Sequence, residues 1–254
     1  MKLETMYLEK DGRMARLVLN RPAVLNAANQ QWVEDLNTLA EAVATDAAIR
    51  VLTITGAGRA FCSGIDLKAL SAGETAHRFF RDWERALRTF ETMEKVVIAG
   101  MHGYAIGGGL QIGLACDIRV AAAGTQLGRT AVKECLLPGL GTYRLPRFIG
   151  MGRAKRLILT GDLIGAEEAE RIGLVDYVVP ADRFEAELRA IAERLLRTAS
   201  KGACLSKRVM ADAFDAAFEE FLQAYLEAQR LATASADHTE AMAAYREGRE
   251  ARFE

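Results

Sequence analysis

Two glycine-rich segments of this chain decide its fold: Gly56-Ala57-Gly58-Arg59-Ala60-Phe61-Cys62-Ser63-Gly64-Ile65-Asp66-Leu67-Lys68 and Gly103-Tyr104-Ala105-Ile106-Gly107-Gly108-Gly109. Each follows a run of β-branched apolar residues and precedes a stretch that can be helical. Glycine is needed where the backbone adopts a positive φ or closely approaches a ligand. A turn between a strand and a helix also leaves backbone N–H groups without intrahelical acceptors. Two such turns side by side supply two convergent donors, an arrangement that stabilises a developing oxyanion.

The length and charge of the chain restrict its class. Its 254 residues suffice for one large domain, or for one domain with a helical appendage. The 33 Lys and Arg residues balance the 34 Asp and Glu residues, so the charge indicates neither nucleic-acid nor membrane binding. No run approaches the roughly 18 apolar residues of a membrane span. Residues 1–10 carry charges throughout, so we expect no signal peptide.

The cysteines indicate a reducing compartment. Cys62, Cys116, Cys135 and Cys204 lie far apart, without CxxC spacing or neighbouring histidines. This pattern predicts neither a zinc site nor a disulfide framework. We therefore expect reduced, mostly buried cysteines in a cytoplasmic protein with no metal.

Hydrophobic periodicity predicts a mixed core of strands and helices. Residues 5–20 have the pattern of a β-hairpin with a turn at Lys10-Asp11-Gly12-Arg13. The further strands are predicted at 51–55, 96–101, 118–122 and 174–179, and the helices at 29–44, 79–90, 110–115, 151–160 and 166–171.

The pattern changes near residue 180, after which only helical periods remain. We therefore divide the chain into a β/α core at 1–180 and a helical C-terminal region at 181–254. The second region is more apolar than a single exposed layer of helices needs to be. This excess favours packing against the core or against other subunits, and so a homo-oligomer.

Six motifs in series resemble one family. They are Asn20-Arg21-Pro22 with Leu25-Asn26-Ala27, then 60–68, 103–117, 138–147, 166–176 and 237–253. Their order over nearly the whole chain resembles the crotonase superfamily, the enoyl-CoA hydratase/isomerase group. The resemblance implies an α/β fold with a crotonase-like ββα spiral core and a C-terminal helical trimerisation region. It also implies a homotrimer or a dimer of trimers that binds an acyl-CoA thioester, with coenzyme A as part of the substrate and no separate cofactor.

The resemblance also implies site residues. In the family the thioester oxygen lies between two backbone N–H groups, which the motifs assign to Ile65 and Gly108. These donors stabilise the enolate that forms beside the thioester carbonyl. The substrate-binding residues implied by the motifs are Ala60, Ser63, Ile65, Asp66, Leu67, Lys68, Gly107 and Gly108, with Lys68 a candidate partner for the CoA phosphates or adenine end.

The sequence departs from the pattern that the resemblance implies at the positions of the proton-transfer groups. Hydratases of the family use two glutamates, and the corresponding positions here are Gln111 and Ala131. Glutamine can hydrogen-bond a water but cannot take its proton, and alanine can do neither. Glu134, one helical turn beyond Ala131, is a candidate acid–base group, and the alternative is a solvated Lys133–Glu134 pair. Cys135 and Tyr143 are further candidate pocket groups. Gly139 replaces the aspartate of some family isomerases, which argues against that subtype.

Three functions remain open. The first is an enoyl-CoA hydratase or isomerase that lacks the usual pair. The second is a decarboxylase of malonyl-type thioesters, in which loss of CO₂ generates the enolate without a base. The third is a CoA-thioester-binding scaffold without turnover. Of the other polar residues, we expect Asp66 to cap a helix, His102 to be a core histidine, and His77 and His238 to be solvated.

Overall fold

A computed structural model of the chain describes residues 1–75 and 78–253, and a six-stranded sheet lies at its centre. The strands are β1 Met6–Asp11, β2 Met14–Leu19, β3 Val51–Gly56, β4 Val96–Met101, β5 Tyr104–Ile106, β6 Ile118–Ala122, β7 Gln126–Gly128, β8 Leu163–Gly165 and β9 Tyr177–Val179. The central sheet has the order β1-β2-β3-β4-β6-β9. Only β1 and β2 pair antiparallel in it, and the other neighbours are parallel. A second sheet has the order β5-β7-β8.

Helices connect the parallel strands and flank the sheet. They are α1 Gln30–Thr45, α2 Leu67–Ser71, α3 Phe79–Thr92, α4 Gly108–Ala115, α5 Gly141–Thr160, α6 Ala166–Arg171, α7 Phe184–Leu196, α8 Ser200–Met210, α9 Phe218–Thr233 and α10 Ala236–Glu247. Short 3₁₀ helices occupy Pro22–Val24, Thr130–Glu134 and Ala181–Arg183. Every residue of β3 is buried, as expected for a parallel strand covered on both faces.

Helices α1 and α3 pack together over the sheet through large aromatic side chains. Asn29 begins α1 by accepting a hydrogen bond from the N–H of Trp32, which satisfies one free donor of the first turn. The ring centroids of Trp32 and Trp83 are 5.1 Å apart, and Phe79 packs edge-on against Trp83. Phe79 and Trp83 of α3 are thus core residues, and Trp83 lies against the second glycine-rich segment.

The structure agrees with most of the predicted elements and differs at two of them. The predicted strand 174–179 contains only β9, because the N–H of Leu174 bonds Ala169 O and extends the end of α6. The helix predicted at 151–160 begins ten residues earlier, at Gly141, and contains a non-helical residue at Gly150, where φ is +77°. The short strands β5, β7 and β8 had no sequence signal of their own.

The C-terminal helices fall into two groups. Helix α7 packs on the central sheet, where Phe184 and Leu188 join Val51, Ile98 and Val120 in one buried cluster. Helices α8 and α9 share a smaller cluster around Leu205, Val209 and Ala228. In the described part of the chain the last strand ends at Val179 and the region after residue 180 is helical, although α7 packs on the core. Among the described helices, none is long and apolar enough to cross a bilayer.

The histidines are placed as follows. His102 is half-buried; its Nε2 lies 3.0 Å from Gly58 O, and its ring packs beside Phe184. His238 is half-buried near the start of α10 rather than fully solvated. His77 lies outside the described residues.

The first glycine-rich segment is clamped by one buried side chain. Asn26 Nδ2 donates toward Ala57 O at 2.9 Å, Ala60 O at 2.8 Å and Phe61 O at 3.1 Å. Its Oδ1 accepts from the N–H of Arg21 at 2.8 Å. Asn26 itself has a φ of +58°, a conformation that asparagine tolerates better than most residues. The side-chain amide of Asn26 thus fixes the first residues of the first glycine-rich segment.

We expect Asn26→Ala to destabilise the fold by about 2–4 kcal/mol, because buried polar groups left without partners cost about 1–3 kcal/mol each. Equilibrium unfolding in urea measures this change. Thr38→Ala, which removes only an exposed bond to its own helix, serves as the control and should stay within about 0.5 kcal/mol of wild type. Equal stability of the two variants would contradict the role assigned to Asn26.

Candidate active site

The candidate site is a cavity of about 390 Å³ between the two glycine-rich segments. Its other walls come from α3, from the 3₁₀ helix after β7 and from residues 136–140. The lining includes Ser63, Ile65, Leu67, Phe79, Phe80, Trp83, Glu84, Gly107, Gly108, Gln111, Arg129, Ala131, Glu134 and Leu137. Most of this surface is apolar, and the few polar groups converge from different elements, as is typical of ligand pockets.

Backbone pairing brings the two glycine-rich segments together. The N–H of Cys62 donates to Tyr104 O at 3.0 Å, and the N–H of Ile106 donates to Cys62 O at 3.0 Å. Beyond this ladder both chains turn through positive φ, at +99° for Gly64 and +56° for Gly107. A Cβ placed on Gly64 would lie 3.0 Å from Gly108 N, so the two turns are in contact.

Two backbone amides at these turns have no protein acceptor. Within the described residues, neither the N–H of Ile65 nor that of Gly108 donates a hydrogen bond. Both residues line the cavity, and Gly108 is the first residue of α4, where the helix N-terminus favours negative charge. The arrangement can therefore hold an oxygen that gains negative charge.

Trp83 limits the space behind the second turn. A Cβ on Gly108 would lie 2.4 Å from two atoms of the Trp83 ring, so only glycine fits this position. Because Trp83 is held by Trp32 and Phe79, the ring cannot retreat without disturbing the core.

The remaining predicted substrate-binding residues lie on the first segment but outside the lining. Ala60 is buried, and its carbonyl accepts from Asn26. Asp66 caps α2 by accepting from the N–H of Ala69, as expected, and pairs with Arg21 at 3.0 Å. Lys68 is exposed on α2. The structure thus brings Ser63, Ile65, Leu67, Gly107 and Gly108 to the cavity and leaves these three beside it.

The candidate proton-transfer positions face the same cavity. Gln111 is buried on α4, and its Oε1 accepts from Arg144 Nη1 at 3.3 Å. Ala131 and Glu134 both lie on the 3₁₀ helix Thr130–Glu134 and both contribute to the lining, with Glu134 exposed to solvent. Glu134 makes no ion pair with Lys133 in the part of the chain that the structure describes.

Cys135 and Tyr143 are not part of the lining. Cys135 is exposed and ends the 3₁₀ helix with a φ of +54°. The Tyr143 hydroxyl bonds Asp215 instead. The other cysteines are buried and all four are free. Burial raises the pKa of the Cys62 thiol to about 12, so it stays protonated at neutral pH.

Sequence reasoning missed an ion-pair cluster beside the cavity, to which the lining residue Glu84 belongs. Arg144 is nearly buried and pairs with Glu84 at 2.7 Å and with Glu91. Glu84 also accepts from the N–H of Leu140 at 3.0 Å. Burial acts to lower the pKa of Arg144, but the bonds and charges of Glu91 and Glu84 outweigh it and raise that pKa. One sequence feature could have indicated this cluster: Glu84 and Glu91 are seven residues apart and therefore lie on the same face of α3.

A second buried arginine was also missed. Arg129 follows β7 and lines the cavity, and its Nη1 donates to Gly107 O at 2.5 Å. Within the described residues it has no carboxylate partner. No group of three or more His, Cys, Asp or Glu side chains in the described part of the chain is arranged to bind a metal ion.

Known proteins share this architecture. The family model for enoyl-CoA hydratase/isomerase matches residues 9–254. The chain is 37% identical over 258 residues to a crotonyl-CoA hydratase of Syntrophomonas wolfei, covering 100% of this chain and 99% of that protein. It is 40% identical over 196 residues to an (E)-benzylidenesuccinyl-CoA hydratase of Thauera aromatica, covering 76% of each. A crystal structure of an enoyl-CoA hydratase from Bacillus anthracis superposes with a TM-score of 0.93 at 32% identity, over 98% of this chain and 99% of that one.

The chain belongs to the enoyl-CoA hydratase/isomerase family. The resemblance inferred from the six motifs is thereby confirmed, as is the crotonase-type α/β fold with helices at its C-terminal end. Members of this family act on acyl-CoA thioesters, so the cavity between the glycine-rich segments is the candidate acyl site.

We expect Gly108→Ala to lower kcat/KM by about 10²–10³-fold, the usual effect of losing one oxyanion donor. The added methyl group must displace the turn or Trp83, which moves the Gly108 N–H. The assay uses the CoA thioester that the wild-type enzyme turns over fastest. Gly152→Ala is the matched control, because its Cβ would meet no atom within 4 Å. Wild-type activity in Gly108→Ala would show that this amide does not act.

Proposed function

We propose that this chain stabilises the enolate of an acyl-CoA thioester with the N–H groups of Ile65 and Gly108. The observation that carries the proposal is that both amides lack a protein acceptor and line one cavity. An enolate concentrates negative charge on the thioester oxygen, and fixed donors stabilise that charge without reorganisation. Each donor of this kind contributes about 2.7–4 kcal/mol to the transition state.

The substrate of the proposed reaction is a CoA thioester with an unsaturated acyl group. The names of the relatives from Syntrophomonas wolfei and Thauera aromatica, both hydratases of CoA thioesters, support this choice. In the proposal the acyl group enters the apolar cavity beside Phe79 and Trp83. The CoA moiety lies along 60–68, where Lys68 is free in solvent to meet a phosphate.

Glu134 is the proposed acid–base group. It is the carboxylate of the lining without an ion-pair partner among the described residues, whereas Glu84 is engaged by Arg144 and by the N–H of Leu140. Gln111 can orient a water or the thioester through its amide, but it cannot accept the proton. If Glu134 is the acid–base group, hydration requires this one side chain both to take a proton from the attacking water and to deliver a proton to the α-carbon.

Decarboxylation of a malonyl-type thioester is the second candidate, favoured by the non-ionisable side chains at Gln111 and Ala131. In that reaction the bond between the α-carbon and the carboxylate breaks, and CO₂ leaves. The electron pair remains as the enolate, which the two amides hold until the α-carbon takes a proton. No base is needed in this series of steps, so the two N–H groups lower the activation barrier by stabilising the enolate.

Assembly into a homotrimer or a dimer of trimers is also part of the proposal. Large apolar side chains lie exposed in the C-terminal helical region, among them Met210 at 63%, Phe214 at 73% and Phe218 at 73% exposure. A surface of this kind marks a contact between chains. A cytoplasmic location and the absence of a metal, a redox cofactor and a nucleic-acid partner stay predictions of the sequence.

The oligomeric state can be measured by light scattering coupled to size exclusion. We expect the mass of three or six copies of the 27.7 kDa chain. Phe218→Glu should shift the population toward smaller species, because a buried charge at a subunit contact costs more than the contact yields. A monomeric wild-type protein would contradict the proposal.

Turnover on crotonyl-CoA, a 3-enoyl-CoA and malonyl-CoA separates the candidate functions. We expect Glu134→Gln to lower hydration by about 10²-fold or more, since acid–base groups contribute about 10²–10⁴-fold. Glu167→Gln, an exposed glutamate on α6, is the control and should leave the rate unchanged. Hydration that survives Glu134→Gln would remove Glu134 from the mechanism. Turnover of malonyl-CoA alone would favour decarboxylation, and binding without turnover would favour a scaffold.

A further inference from the structure

Arg129 is a buried cation with unsatisfied donors. Only 1% of its surface is exposed, and Nη1 donates to Gly107 O at 2.5 Å. Nε is buried and has no acceptor. Nη2 also lacks an acceptor among the described residues. Buried charges are normally paired, because desolvation is expensive, so an arginine with one bond out of five possible is unusual.

Arg144 is a second buried arginine near the cavity, and it differs from Arg129 in its partners. Arg144 is similarly buried, but two carboxylates, Glu84 and Glu91, surround it. Glu84 is the carboxylate whose charge acts on Arg129, yet its oxygens are taken by Arg144 and by the N–H of Leu140. Burial lowers the pKa of Arg129 to about 9, which still leaves the guanidinium protonated at neutral pH. The two arginines and the two glutamates balance in charge, so what Arg129 lacks is an acceptor for the donors on Nε and Nη2.

Arg129 is one of the residues that line the acyl cavity. Gly141 packs closely against its guanidinium, since a Cβ there would lie 2.5 Å from Arg129 Nη2. Arg129 lines the cavity together with Ala131, whose small side chain leaves room beside it. The carbonyl that Arg129 binds belongs to Gly107, next to the free amide of Gly108. An anion bound here would lie within the acyl site, close to the thioester end.

We propose that Arg129 binds a carboxylate carried by the acyl group, so that the preferred substrates are CoA thioesters of dicarboxylic acids. The inference rests on the proposed function, because it requires an acyl-CoA thioester in this cavity. Arginine suits the role, since its planar donors match a carboxylate and such charge-assisted bonds are stronger than neutral ones. The substrate would supply the partner that the chain itself does not.

The test compares thioesters that differ by one carboxylate: malonyl- with acetyl-CoA, succinyl- with propionyl-CoA, and glutaryl- with butyryl-CoA. Dissociation constants are measured with the full chain, or KM where a thioester turns over. We expect the carboxylated member of at least one pair to bind about 10-fold or more tightly, the usual effect of one charge-assisted bond. Arg129→Gln should abolish that preference, and Arg129→Lys should retain part of it. Arg197→Gln, an exposed arginine, is the control and should keep the wild-type preference.

Each other outcome overturns the inference. Equal affinity within all three pairs in the wild-type protein would exclude a carboxylate site while leaving the proposed function intact. An equal loss for both members of a pair in Arg129→Gln would show that Arg129 only supports the turn at Gly107. Butyryl-CoA that binds more tightly when acetate is added, in an Arg129-dependent manner, would show a site for a free anion. Binding of no thioester at all would overturn the proposed function and this inference together.

Discussion

The contact between the two glycine-rich turns is the constraint on which the rest of the site depends. A Cβ on Gly109 would lie 2.1 Å from Cys62 O, and one on Gly103 would lie 2.0 Å from Arg59 O, so side chains are excluded where the segments cross. Only this close approach brings Ile65 and Gly108 to the same cavity. The aromatic packing of Trp32 and Trp83, the Asn26 clamp and the parallel strands β3 and β4 all serve to hold two short stretches of backbone in register.

The polar groups around the cavity include several hydrogen-bond donors and few groups that can transfer a proton. The two positions for which the resemblance implies glutamates carry Gln111 and Ala131, and Arg129 is a buried cation in the lining. Arg144 is paired with Glu84 and Glu91, so the charges of these three residues and Arg129 sum to zero. Where such groups are buried, as Arg129 is, electrostatic interactions are stronger than they would be in solvent. The described lining thus offers two N–H donors without acceptors and one carboxylate without an ion-pair partner, Glu134.

Sequence reasoning predicted the elements whose pattern is local and missed the contacts that are not. The hairpin, α1, β3 and β4 follow from periodicity, and Asp66 was expected to cap a helix, as it does. The ion pair between Arg144 and Glu84 joins residues 60 positions apart, so no local pattern could reveal it. The burial of Arg129 was equally hidden, because an arginine after a strand ordinarily lies in solvent. Helix α5 was predicted too short because Pro146, inside it, is usually a helix breaker.

In such a site an amino-acid substitution changes a side-chain group, whereas a backbone N–H donor remains. The N–H groups of Ile65 and Gly108 come from the chain's path, so a substitution at Gln111 or Ala131 leaves them intact. The stretch 129–134, by contrast, contains the 3₁₀ helix Thr130–Glu134, and four of its residues line the cavity. Exchanging these side chains alters charge and volume beside the acyl group without moving the strands. In the proposed function, the stabilisation of the enolate is thus a property of the backbone path, whereas the choice of acyl group and of proton donor is assigned to this one short segment.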